Sequence, residues 1–269
     1  MEARAQLNKP PVSIAIAMQF DGPQPNHFGA NEATAKPMQS GGFIGDTTQG
    51  GSCNAQEVTF NPHCNGTHTE SISHVIDELI APHEVVVQPL MLAQLITLEA
   101  SSDAVLDTYQ PPIEPGDKVI GLHQLTAVLK DLHEDVKALI IRTLPNTTTK
   151  QTCRYGQDVN PAFFSNEAMQ WLVEETEIDH LLVDLPSVDR LYDDGLLSNH
   201  RLFWNIDPGS HQSSEQQHRH KTITEMVYVP NDIKDGAYLL NLQLPRLNLN
   251  AVPSNPVLYK MLKQAKPKT

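Results

Sequence analysis

Asn61-Pro62-His63-Cys64-Asn65-Gly66-Thr67-His68-Thr69-Glu70-Ser71-Ile72-Ser73-His74 is the stretch on which the reading of this chain turns. Cys64, His68, Glu70 and His74 fall within eleven positions. Thiolate, imidazole and carboxylate are all zinc ligand types. If the segment is extended, side chains alternate between two faces. Cys64, His68, Glu70 and His74 then share one face, with Gly66 between the first two, and His63 points to the other. Gly66 marks a bulge or a close backbone approach. The competing reading is a polar surface loop that happens to hold histidines, since the spacing is not that of a standard closed zinc motif.

Outward from this stretch the chain alternates apolar runs with turn-rich segments. Upstream, Val12–Phe20 reads as a strand, and residues 21–54 form a long loop rich in Gly, Pro, Asn and Gln. Gly41-Gly42, Gly45-Asp46 and Gly50-Gly51 mark tight turns within it. Downstream, Glu84–Val87 is a short β-branched run, and Met91–Glu99 is apolar enough for a buried strand. Leu125, Val128, Leu129, Leu132 and Val136 fall on one helical face. Ala138–Arg142 follows as a strand. Ser165 is placed to cap a helix over Asn166–Thr176, and His180–Asp184 is a further strand. Helix followed by strand, repeated, points to an α/β layer. Thr222–Val229 and Ala237–Leu244 read as two long strands joined through the turn dipeptide Asp235-Gly236. Residues 207–221 read as an exposed, mobile insertion whose deletion should leave folding intact. No internal repeat interrupts the pattern. Residues 1–11 read as a loose lead-in, 12–259 as one domain and 260–269 as a basic tail.

Composition bounds the function. The chain of 269 residues carries a formal net charge of -13, against the sign expected of a nucleic-acid or anionic-membrane binder. Three cysteines make no disulfide framework and fit a reducing compartment. The apolar run Val12–Met18 is too short to span a bilayer, so a cytoplasmic location is expected. The expected partners are a small-molecule substrate and further copies of the same chain, as a dimer or tetramer, without nucleic acid or membrane.

Two more residues bear on the chemistry. Glu225 shares the more apolar face of its strand with Ile223, Val227 and Val229. A carboxylate there is costly unless it is paired or bound to a metal; Arg142 is one candidate partner. His200, in Ser198-Asn199-His200-Arg201, carries little weight by itself, because a lone His before an apolar run is usually structural.

Gly66-Thr67-His68-X-Glu70-X-X-X-His74 resembles the signature His-X-Gly-Thr-His-X-Asp-X-Pro-X-His of the cyclase family that includes bacterial kynurenine formamidases and isatin hydrolases. In this resemblance Cys64 takes the place of the first ligand histidine, His68 that of the second, and Glu70 that of an aspartate able to bridge two metals. His74 matches the proton-transferring histidine, and Ile72 replaces the proline. His200 and Glu225 look like the family's later His and Glu ligands. Phe43-Ile44-Gly45-Asp46 looks like the family's Trp-Pro-Gly-Asp, whose aromatic lines the substrate pocket. Leu185-Pro186-Ser187-Val188-Asp189 resembles the segment before the ligand histidine.

The resemblance implies a swivelling β/β/α fold, an α/β single domain with a β-rich core. It implies one or two divalent ions held by Cys64, His68, Glu70, His200 and Glu225. The softer Cys64 ligand favours zinc, with manganese as the other candidate. The implied activity is hydrolysis of C–N bonds other than peptide bonds, or of lactones, by metal-activated water, with His74 as general base and Phe43 against the substrate. The alternative is a non-catalytic metal- or ligand-binding protein on the same scaffold, in which Cys64 closes a four-ligand site.

Overall fold

The computed structural model describes residues 10–102, 107–130 and 132–261. Nine strands form its main sheet: β1 (Val12–Ser13), β2 (His68–Glu70), β3 (Leu90–Glu99), β4 (Ala138–Leu144), β5 (His180–Val183), β6 (Thr222–Glu225), β7 (Gly236–Gln243), β8 (Ala251–Pro253) and β9 (Asn255–Lys260). Their spatial order is β1-β9-β7-β3-β4-β5-β6-β2-β8. The four central strands β3 to β6 run parallel, and antiparallel strands extend both sides.

β4 and β5 carry the apolar runs Ala138–Ile141 and Leu181–Val183 because both faces are covered there. Leu139 and Ile141 of β4 enter one core cluster, with Leu125, Met169, Leu172 and Trp204. Ala138 and Ile140 enter the other, with Leu95, Leu182 and Leu240. The helices are short: α1 (Pro62–Asn65), α2 (Pro82–Val85), α3 (Leu122–Val128), α4 (Asn166–Glu175) and α5 (Ser198–Trp204). Ser165 caps α4, its hydroxyl accepting from the Ala168 amide. The architecture is the expected mixed α/β domain with a β-rich core. No helix among the described residues is long and apolar enough to cross a membrane.

Several local expectations change. The helix expected through Val136 ends at Val128, although Leu129 and Val136 are still buried. In a helix continued to Val136, Glu134 and Asp135 would place negative charge at its C-terminal end, where the helix dipole disfavours it. Glu84 and Val85 lie in α2, where Pro82 sits in the first turn and Glu84 accepts from the Ala81 amide. The strand expected over Val12–Phe20 covers only Val12–Ser13, with an isolated bridge at Ala15.

Thr222–Val229 stops as a strand at Glu225, because Met226 turns the chain with a φ of 53°. Its expected pairing with Ala237–Leu244 does not occur; three strands, β5, β4 and β3, lie between β6 and β7 in the sheet. Asp235 instead binds the Thr97 amide and hydroxyl and the Arg142 guanidinium. The turn-rich segment contains two short ribbons, Thr34–Pro37 with Gln56–Thr59 and Gln39–Ser40 with Phe43–Ile44. Gly41 and Gly42 both take positive φ at the tip of the second.

Residues 207–221 are largely exposed, as expected, but are tied down. The His211 carbonyl accepts from the Asp77 amide and its ring Nδ1 pairs with the Val75 carbonyl, Arg201 donates to the carbonyls of Asp207 and Ser210, and Glu78 meets Ser213 and Arg219. Most of the lead-in and basic tail lies outside the described residues.

Candidate metal centre

The site lies where β2 runs antiparallel to the carboxyl end of β6. Glu225 faces His68 across the strands, and Ile223 faces Glu70. Alternation therefore puts His68, Glu70 and Glu225 on one face, while Thr69 and Thr224 bond through their hydroxyls on the other. Thr67 secures this junction: its hydroxyl accepts from the Ile16 amide and donates to the Met226 carbonyl.

Upstream the backbone is not extended. Asn61 caps the turn of α1 by accepting from the His63 amide, and Pro62 occupies its start. This turn changes the phase of the alternation. His63, expected on the far face, lies with Nδ1 3.1 Å from Glu70 Oε2, and its ring is 4.3 Å from that of His74. His74 follows on a short 3-10 turn capped by Ser71.

His200 reaches the same place from α5. Its Nε2 is 2.9 Å from Glu70 Oε1 and 3.7 Å from Glu225 Oε1. Asp189 fixes the ring, accepting from His200 Nδ1 at 2.5 Å. The same carboxylate accepts from the amides of Asn199 and His200 and from the Tyr109 hydroxyl. His68 is held in the same manner, with Nδ1 3.0 Å from the Gly66 carbonyl. In both rings the Nδ1 hydrogen goes to an oxygen, which leaves the Nε2 lone pair facing the cluster.

His68 Nε2, His200 Nε2 and both Glu70 carboxylate oxygens are buried without a hydrogen-bond partner. They are close to one another but poorly aligned for hydrogen bonds. Leaving such atoms unpaired costs about 1–3 kcal/mol each, more when charged. Two groups of ligand atoms result, each mutually within 4.8 Å: His68, Glu70 and Glu225, and His63, Glu70 and His74. Glu70 belongs to both. Convergent lone pairs of imidazole and carboxylate with no protons between them fit a divalent cation.

These neighbours also shift one another's pKa values. Burial alone would raise the Glu70 pKa, but His74, His200 and His63 draw it well below the usual range. Burial, and then the charge of Glu70, push Glu225 up. Burial would depress His200, yet Glu70 and Asp189 hold its pKa well above the ordinary value. Burial lowers His74 to about 4 against the pull of Glu70.

His68, Glu70, His74, His200 and Glu225 are thus brought together. Cys64 is buried next to them but belongs to neither ligand group. Its thiol is pushed up, first by burial and then by Glu225. With Cys64 apart, the soft-ligand argument for zinc has no support in the geometry. Arg142 is not the partner of Glu225; it binds Asp235 and the carbonyls of Pro230 and Ile233.

A cavity of about 60 Å³ opens on the cluster, lined among others by His27, Phe28, His63, His74, His200 and Glu225. Phe43 is not among its lining residues; it lies half-buried in the ribbon with Gln39–Ser40. The aromatic at the cavity is Phe28, 63% exposed, in a left-handed backbone conformation. A larger cavity of about 490 Å³ lies beyond the carboxyl ends of β4 and β5. Its central charges are already matched, with Lys150 donating to Asp184 and to the Thr143 carbonyl and hydroxyl.

The sequence matches the family model described as "Putative cyclase" over residues 12–190. No curated protein matches it. Among solved structures, one described as a "potential metal-dependent hydrolase with cyclase activity" superposes with a TM-score of 0.62 at 12% identity, covering 93% of this chain and 97% of that one. Isatin hydrolase A from Labrenzia aggregata gives 0.58 at 14% identity, over 93% of each chain. An isatin hydrolase bound to the product analogue thioisatinate gives 0.58 at 12% identity, over 94% of this chain and 92% of that one. The sequence match over more than half the chain, on a fold shared with these structures, places the protein in the cyclase family.

Proposed function

We propose that the protein is a metal-dependent hydrolase of small acyl compounds, acting on C–N bonds other than peptide bonds or on lactones. The observation that carries this reading is the convergence of buried, unpartnered His68 Nε2, His200 Nε2 and Glu70 oxygens beside a cavity. The descriptions of the structural neighbours as metal-dependent and isatin hydrolases support it, isatin being a cyclic amide.

His68, Glu70, His200 and Glu225 would hold one ion. A second ion at His63, Glu70 and His74 would occupy the nitrogen that the base needs, so the form active in hydrolysis holds one. When bound, a divalent cation, zinc or manganese, supplies Lewis acidity to the acyl oxygen and acidifies water. Water oxygen attacks the acyl carbon. His74, neutral at physiological pH, accepts the water proton and returns it to the leaving nitrogen as the C–N bond breaks. The products are a carboxylate and an amine; with a lactone the proton goes to the leaving oxygen and the products are a carboxylate and an alcohol. Phe28 packs on the exposed part of the substrate, the role that the family resemblance implied for Phe43. The cavity of about 60 Å³ admits only the reacting group.

The test combines elemental analysis with turnover of N-formyl amines, cyclic amides including isatin, and lactones. The proposal expects bound zinc or manganese and chelator-sensitive hydrolysis of at least one class. Metal binding without turnover on any of them would favour the non-catalytic alternative. A dimer or tetramer in the cytoplasm is proposed separately; solution mass measurement checks the oligomer.

A further inference from the structure

His27 is 3% exposed, lines the cavity over the metal cluster, and has no hydrogen-bond partner on either ring nitrogen. It is absent from both groups of ligand atoms and, unlike His200, is paired with neither Glu70 nor Glu225, so the proposed ion does not account for it. Nor is it loosely placed. Its amide donates to the Cys64 carbonyl on α1, and its carbonyl accepts from Ala30. Asn26 beside it is bonded in both directions to the 153–155 segment. The ring lies 4.0 Å from that of Phe28. A rigidly held imidazole with two unpaired nitrogens carries a cost that a ligand in the cavity would remove.

The other lining side chains identify the bond it would make. Both Asp189 oxygens are occupied, as are both oxygens of Asp193, which take the Gly195 and Leu197 amides. Glu225 Oε1 takes the Val188 amide, and the Ser187 hydroxyl accepts from Asp189. His63 is turned to Glu70 and Asn250. A buried amide N–H of a substrate must also be paired, and His27 is the uncommitted acceptor.

We propose that His27 is a positioning residue that accepts a hydrogen bond from the N–H of the scissile amide, so that the site selects secondary amides over the matching esters. This rests on the hydrolase reading above. The bond orients the nitrogen so that its lone pair, not its N–H, meets the proton returned by His74. It also gives the enzyme a reason to discriminate: an ester oxygen offers His27 nothing to accept.

The experiment compares N-phenylformamide with phenyl formate on metal-loaded wild-type protein, His27→Phe and His27→Gln. The amide-to-ester ratio of kcat/KM should fall about 10- to 100-fold in His27→Phe and recover in part in His27→Gln, whose side chain keeps an acceptor. Metal stoichiometry should be unchanged, and the melting temperature of His27→Phe should be no lower than that of wild type. An unchanged ratio in both variants, or loss of metal or of melting temperature in both, would overturn the proposal. If wild type hydrolyses neither compound, the hydrolase reading is decided by the wider panel above, and His27 is judged by binding. N-phenylformamide should then bind wild type at least about 10-fold more tightly than His27→Phe, and equal affinity overturns the proposal.

Discussion

Replacing Asp189 with Asn changes one atom and tests the whole arrangement around His200. The Asp189 carboxylate accepts four hydrogen bonds: Tyr109 hydroxyl at 2.8 Å, Asn199 amide at 2.7 Å, His200 amide at 3.2 Å and His200 Nδ1 at 2.5 Å. An amide has only one acceptor oxygen, so its NH2 must face one pair of these donors. Facing His200, it meets the backbone N–H and turns the ring to the tautomer with hydrogen on Nε2. That removes the lone pair directed at Glu70 and Glu225. Facing the other pair, it meets the Asn199 N–H and leaves that buried donor unpaired, at about 1–3 kcal/mol of stability. Loss of an outer carboxylate from a ligand histidine typically costs about 10–100-fold in metal affinity, which is about 1.4–2.7 kcal/mol. Chelator competition at equilibrium measures the affinity, and denaturant unfolding of the metal-free protein measures the stability. An Asp189→Asn protein with wild-type metal affinity and wild-type stability would refute the reasoning, because no orientation of the amide satisfies all four donors.

Other substitutions separate the remaining roles. Cys64→Ser should leave metal content unchanged while His63→Gln lowers it; the reverse pattern would restore the thiol as a ligand. His74→Ala should reduce turnover about 10²–10⁴-fold, and metal analysis on the same preparation tells whether a second ion leaves with it. His180, bonded to the Thr222 hydroxyl at the far end of the sheet, has its pKa lowered by burial from 6.5 to about 4. Its contribution to stability is present above pH 6.5 and is lost as pH falls towards 4. Between pH 7 and pH 5 this amounts to about 2 kcal/mol, so unfolding of metal-free His180→Asn should be less pH-dependent by that amount, and identical profiles would contradict the assignment. Deleting residues 208–216 strips the buried Arg201 guanidinium of the Ser210 carbonyl. A cost of about 1–3 kcal/mol is expected, and an unchanged denaturation midpoint would show the segment to be dispensable.

The central strands were legible because residues such as Ala138–Ile141 are apolar at every position, the pattern of a strand buried on both sides. Pairing was less so. Asp235-Gly236 has the composition of a hairpin turn, but its carboxylate is used to bind Thr97 and Arg142, which no local pattern reveals. In the site, alternation held where the chain is extended, from His68 to Glu70, and failed before it. The signal for that failure is in the sequence: Asn61-Pro62 is a helix cap followed by a first-turn proline, which puts His63 rather than Cys64 among the ligand atoms. Glu225 stood out as a carboxylate on an apolar face. His27 gave no such signal, since a single histidine in a Gly- and Pro-rich loop acquires meaning only when its surroundings are known.

The position of β2 also bears on how the protein comes to be made. This short strand carries His68 and Glu70 yet is neighboured on one side by β6 and on the other by β8, both from much later in the chain. His63 likewise meets Asn250, 187 residues away. During synthesis the histidine-rich segment therefore leaves the ribosome long before either flanking strand exists, with only some of its ligands and with both strand edges open. On the proposed reading, metallation would be a late event, gated by the last strands of the sheet, because the ligand set is complete only once they have paired.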